Sequence, residues 1–237
     1  MYAELKDQNF VIIAVAFDAG GNTAVKDWIR PATIEIPKEL QTIMGWDDEL
    51  VSRAAAPTYP CLVDEKHLVA ELYNMVNVPS AVWINEDGRI VRPAETAGAS
   101  DGFRQVDFET FQIPEEVAQD GKQKRQQYVE AVRDWVQNGD ASRYTLSAEE
   151  ARARVDAPTA EHALAAAHYR LGQHLFEQGH VEAAHQSWAE AKRLRPESWN
   201  YFRQDLEVDE VGKASGPDFF AAVQALGDKA YYPPARL

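Results

Sequence analysis

YPCLVDEKHLVAELYNMVNVPSAVWINEDGRIVRP, residues 59–93, is the stretch whose reading decides the fold. It parses as strand, helix, strand, tight turn and strand. Leu62 and Val63 form a short apolar run ended by Asp64, a helix-capping residue type; Leu68, Leu72 and Met75 then recur at helical spacing with Val69 and Tyr73 beside them. Val78-Pro79 opens the next apolar run. Proline cannot donate to a central ladder, so Pro79 is expected at the first residue of that strand. Asp87-Gly88, between Trp83-Ile84 and Ile90-Val91, signals a hairpin, with the returning strand ending at Pro93.

These residues resemble the second half of a thioredoxin-like domain of the redoxin kind, the TlpA/ResA and peroxiredoxin-related proteins. The resemblance covers residues 2–139, and the Val-Pro strand with its Asp-Gly hairpin is its most specific part. It implies an α/β fold with one mixed sheet and flanking helices, and a cis peptide at Val78-Pro79. It further implies that Val78 and Pro79 face a protein partner, and that thiol-disulfide or peroxide chemistry is the family's activity. In the family, the strand corresponding to Phe10–Phe17 follows another strand and a helix headed by Cys-x-x-Cys. Here the chain opens within that helix; a misplaced start, a truncated chain or a degenerate relative would each account for it. A sheet without that first strand would expose an edge, which offers a homodimer interface.

Composition bounds the rest. A chain of 237 residues, 45% hydrophobic and 10% aromatic, can bury a sizeable core in one large or two small domains. Its net charge of -14 disfavours nucleic acid and anionic membranes, which need a clustered basic face. The longest apolar run, Phe10 to Phe17, is far shorter than the roughly 20 residues of a membrane helix, and no signal-peptide pattern opens the chain, so a cytoplasmic location is expected. Cys61 is the single cysteine, which excludes an intramolecular disulfide, a Cys-x-x-Cys and a thiolate zinc cluster.

Along the chain, Tyr2–Lys6 reads as the last turns of a helix and Phe10–Phe17 as a buried strand. Asn22 or Thr23 is expected to cap a helix carrying Val25, Trp28 and Ile29, stopped by Pro31. Residues 31–57 look like an insertion. Glu39, Leu40, Ile43 and Met44 suggest a short helix there, and Asp47-Asp48-Glu49 lacks calcium-loop spacing and reads as a solvated turn. After an aperiodic run in which Phe103, Phe108 and Phe111 should tuck inward, a helix is expected from Lys122. It carries Tyr128, Val129, Val132, Trp135 and Val136 on one face. Asn138–Tyr144 is the expected linker between a domain at 1–140 and another at 141–237, and Ser147 with Glu150 forms a capping-box pattern.

The second domain carries its own signal. Leu171, Gly172, Leu175, Ala184, Trp188, Ala191 and Pro196 fall on the small and large positions of a tetratricopeptide repeat, whose period is about 34 residues. Gly172 and Ala184 would let two helices approach, Trp188 and Leu175 would fill the space between them, and Gln178-Gly179-His180 would turn. An all-α repeat-like region of this kind needs neighbours to bury its faces. The helix from Ala148, the Pro217–Leu226 segment and the first domain are the candidates. The tail's Tyr231 and Tyr232 are expected to dock on the body.

Chemistry-bearing residues are few. Cys61 is the weak catalytic candidate: its strand position suits a small buried hydrophobe, whereas a reactive thiolate needs a nearby cation or helix start, and Lys66 and His67 are near only in sequence. His162, His168, His174, His180 and His185 crowd the repeat region without a His-x3-His pair, so they read as surface histidines rather than metal ligands. No phosphate loop and no cofactor motif occurs. Two functions follow: a relative of thiol-disulfide oxidoreductases and peroxiredoxins whose redox chemistry is incomplete in this chain, or a non-catalytic module binding a protein partner through the Val78-Pro79 face and the repeat hairpin.

Overall fold

The structure, a computed structural model, describes residues 1–26, 29, 38, 57, 59–107, 109–110, 112–204, 206 and 216–237. The 31–57 insertion, the acidic run 47–49, Trp28, Phe108 and Phe111 therefore lie outside the described residues, apart from Lys38 and Pro57. Helix α1 (Tyr2–Leu5) is followed by strand β1 (Ala14–Ala16), helix α2 (Gly21–Val25) and strand β2 (Cys61–Val63). β1 and β2 pair in parallel, Ala14 opposite Cys61 and Ala16 opposite Val63. The Phe10–Phe17 run thus contributes only three ladder residues. Its partner starts after Pro60, which has no N–H to extend a ladder toward Phe10. The α2 cap also differs from expectation: neither Asn22 nor Thr23 caps, and the Asp18 carboxylate instead accepts the Gly20 N–H at 2.8 Å.

Helix α3 (Leu68–Leu72) leads to strands β3 (Ser80–Ile84) and β4 (Ile90–Thr96), which pair antiparallel around Gly88 at φ +75°. The described residues form two two-stranded sheets, β1–β2 and β3–β4, rather than the one mixed sheet expected, because no described strand bridges the two ladders. β4 also runs past Pro93. Ala81 faces Glu95 while Trp83 faces Arg92, so Pro93 and Ala94 together oppose Val82 in a bulge. No ladder N–H is required of a proline there. The α3 face is the reverse of the one its periodicity suggests: Leu68 and Leu72 are 49% and 72% exposed, and Ala70 is buried.

A 3-10 turn (Asp101–Gln105) precedes helix α4 (Glu115–Asn138), which begins seven residues before Lys122 because Pro114 supplies its start. Tyr128, Ala131 and Val132 of α4 join Leu5, Trp83 and Val91 in the first core. Trp83 Nε1 donates to the Tyr128 hydroxyl at 2.9 Å, its ring stacks 5.0 Å from Trp135, and burial pushes the Tyr128 hydroxyl up to about 12. The Asn138–Tyr144 connection is pinned rather than loose: Ser142 is buried and donates to Asp134, and the Tyr144 carbonyl accepts from Arg92.

The chain continues as α5 (Ala148–Ala153), α6 (Ala160–Glu177), α7 (Val181–Leu194), α8 (Trp199–Gln204) and α9 (Pro217–Gln224). Ser147 and Glu150 form the expected capping box on α5. α6 and α7 form a helical hairpin around Tyr169, Ala184, Trp188 and Ala191, with Tyr201 of α8 in the same cluster. A Cβ on Gly172 would sit 2.4 Å from the Trp188 ring, so glycine alone permits this approach. Trp188 Nε1 donates to the Tyr169 carbonyl at 3.2 Å. Within the Pro217–Leu226 segment, Phe219 and Val223 gather with Phe103, Trp199 and Tyr231, and the Asp101 carboxylate accepts the Tyr231 and Tyr232 N–H groups, docking the tail as expected.

Candidate functional site

The stretch from Asp64 to Pro79 carries the candidate site residues, and Asp64 organises it. Its buried carboxylate accepts the Leu68, Val69 and Ala70 N–H groups at 2.9, 2.7 and 3.3 Å, satisfying the first donors of α3 from four residues ahead of it. To let the chain fold back in this way, His67 takes a left-handed conformation at φ 53°. Beyond α3, Asn74 is left-handed as well, at φ 55°. Asn77 is buried; its side chain accepts the Val78 N–H at 2.9 Å and donates to the Tyr231 carbonyl at 3.0 Å.

The three residues singled out from sequence are placed as follows. Cys61 is half-buried and its Sγ donates to the Tyr59 carbonyl at 3.6 Å. Val78 is half-buried with its N–H taken by Asn77. Pro79 is exposed, its carbonyl accepts the Ala97 N–H at 3.0 Å, and the Val78–Pro79 bond is cis, the isomer the resemblance implies. Among the described residues no hydrogen bond or ion pair joins Cys61 to Lys66, His67 or Pro79. The histidines of the repeat region lie along the hairpin surface, with His162 reaching Glu197 at 3.4 Å, and the described residues contain no group of three metal-ligating side chains.

His67 is the site residue that sequence reasoning passed over. It is 3% exposed and lies where α3 meets the hairpin, with the Phe17 and Tyr169 rings 5.9 and 5.1 Å from its own. Nε2 is 3.4 Å from the Tyr169 hydroxyl, and Nδ1 has no hydrogen-bond partner among the described residues. Burial depresses its pKa to about 4, against a smaller opposing pull from Asp64 and Asp18, so the ring is neutral at pH 7. The sequence signal was a histidine four residues beyond a strand end. Its meaning depends on Tyr169, 102 positions away.

Around it runs a polar seam. Arg170 pairs with Glu71, Gln173 donates to the Glu65 carbonyl, Arg195 reaches the Asn74 side chain, and Asn200 Nδ2 donates to the Met75 carbonyl. Arg195, Ser198 and Asn200 are all buried there. Chemically, the described residues offer one thiol without a base or cation beside it, and one neutral buried imidazole facing a phenol.

No protein-family model matches the chain, and no curated protein or solved structure matches it either. Among the described residues no helix is long and apolar enough to cross a membrane.

Proposed function

We propose that the chain is a redoxin-type, thioredoxin-like scaffold related to thiol-disulfide oxidoreductases and peroxiredoxins, joined to a tetratricopeptide-like hairpin. The observation that carries this reading is the order of elements: a parallel strand pair, helix α3, then the antiparallel β3–β4 hairpin entered through Val78 and an exposed Pro79. With one cysteine in the sequence, any exchange by the residues present is half a cycle. The Cys61 thiolate attacks a partner's disulfide, a mixed disulfide forms and the partner's other sulfur leaves as thiolate. A second thiol must come from outside to release it.

Insulin-disulfide reduction and peroxide consumption by the purified chain test this, with Cys61→Ser beside it. Activity lost in Cys61→Ser supports Cys61 as the nucleophile; activity retained removes Cys61 from the mechanism. Inactivity of both favours a second reading, a non-catalytic module that binds a protein partner. That reading has its own support in α6, where Leu164 and Leu171, two turns apart on one face, are 48% and 46% exposed.

A further inference from the structure

We propose that His67 is an acid-sensitive latch: its neutral ring holds the helical hairpin against α3, and protonation releases the hairpin while the core around Trp83 and Tyr128 stays folded. The inference is independent of any thiol chemistry. It rests on where the imidazole sits and on what its two nitrogens meet.

The ring is enclosed from both sides of the seam. From the α/β half come Phe17 and Asp18 at the end of β1, and Asp64 at the end of β2. From the carboxy-terminal half comes Tyr169 of α6. The small cleft beside the ring is lined further by Glu71 and Met75 after it in sequence, and by Arg195, Ser198, Asn200 and Tyr201. A neutral imidazole carries one N–H and one acceptor nitrogen, and Tyr169 satisfies Nε2 in either role. An imidazolium carries two N–H donors. Nε2–H would keep Tyr169, but Nδ1–H would be a charged donor with no acceptor among the described residues, on a ring that is 3% exposed. Asp64 offsets this only through space, since its oxygens accept the α3 N–H groups and no hydrogen bond joins them to Nδ1.

The seam itself is suited to opening apart from the core. Its bonds join side chains of α6–α8 to the turns flanking α3, and the Arg170–Glu71 pair is 47% and 38% exposed. An exposed pair of that kind contributes little. The sign follows from the shift: the docked state disfavours the proton, so docking is fully stable above the ordinary histidine value of 6.5 and weakens as pH falls toward about 4. With those two limits, the open-to-closed ratio rises roughly 20-fold between pH 7 and pH 5.

Hydrogen exchange on the full chain, corrected for the intrinsic pH dependence, reads this directly. Residues 68–76 are expected to lose protection by about that factor between pH 7 and pH 5, while residues 128–135 keep theirs. In His67→Asn the same segment should show no such pH dependence, because asparagine tolerates the left-handed backbone and does not titrate. Should that variant fail to dock, the wild-type imidazole followed by NMR still decides: titration near pH 4 in the closed state supports the latch. Titration at 6 to 7 with the seam intact, or loss of protection in 68–76 and 128–135 together, would overturn it.

Discussion

Arg92 and His67 are both buried where the amino-terminal α/β half meets the carboxy-terminal segment, at 1% and 3% exposure, and they are satisfied differently. Arg92 engages four of its five N–H donors. Nε and one terminal nitrogen grip the Glu95 carboxylate at 2.7 and 2.9 Å, and the remaining bonds go to the Tyr144 and Arg236 carbonyls at 2.7 and 2.8 Å. The guanidinium also lies 5.3 Å from the Trp83 ring centroid. His67 has one nitrogen engaged and one without a hydrogen-bond partner among the described residues. A permanently charged group that meets its acceptors makes a seam that pH does not open. A titratable group left half satisfied makes one that it does. The two halves therefore meet at a fixed seam around Arg92 and at a conditional seam around His67.

The fixed seam gives the largest expected effect. Arg92→Met removes the cation and leaves Glu95, itself mostly buried, facing the Trp83 core with only the Arg236 N–H to accept, which should cost about 3–5 kcal/mol in denaturant unfolding. Adding Glu95→Gln should recover part of that loss, since the unpaired carboxylate is then gone. A single substitution costing under about 1 kcal/mol, in the range of exposed ion pairs, would mean Arg92 is not the clamp described and would remove the contrast with His67.

Gly172 sharpens the conditional side. Its Cα faces Trp188 so closely that a Cβ meets both Cδ1 and Nε1 at 2.4 Å, and Trp188 is itself held by the bond to the Tyr169 carbonyl. Gly172→Leu should overpack the hairpin by about 1–3 kcal/mol. Because Tyr169 also supplies the hydroxyl facing His67, the same substitution should lower protection of residues 68–76 at pH 7 more than that of residues 128–135. Unchanged melting would count against close packing of α6 on α7.

How much of this was legible in the sequence depends on the reach of the contacts. Elements fixed by neighbours in the chain were readable: the Asp87-Gly88 turn, the Ser147–Glu150 capping box and the Gly172–Trp188 hairpin each depend on local spacing. The apolar run that suggested a buried strand at Phe10–Phe17 was real, but ladder length is set by the partner, and Pro60 stops it. Periodicity placed Leu68 and Leu72 on one face without saying which face is inward. Ala70 and His67 won because Asp64 and the hairpin fix the orientation of so short a helix. Cys61 could be named as a candidate from residue type, and the Val78–Pro79 pair through the family resemblance alone. His67 could not, since nothing near it in sequence foretells a phenol 102 positions away.

The smallest expected effect tests how local the fixed seam is. The Leu146 N–H bonds the Val91 carbonyl at 3.0 Å, and α5 then starts at once from Ser147. Arg154, one residue past the end of α5, donates to the same Arg236 carbonyl that Arg92 uses. α5 therefore braces the tail together with Arg92. Ser147→Ala removes the acceptor for the Glu150 N–H and should cost about 1 kcal/mol by denaturant unfolding. If Arg92 and α5 hold the tail jointly, combining Ser147→Ala with Arg92→Met should cost less than the sum of the two, because the tail is already released in the first. Strict additivity would mean that α5 is stabilised by its own cap alone, leaving Arg92 as the sole side chain that closes the fixed seam.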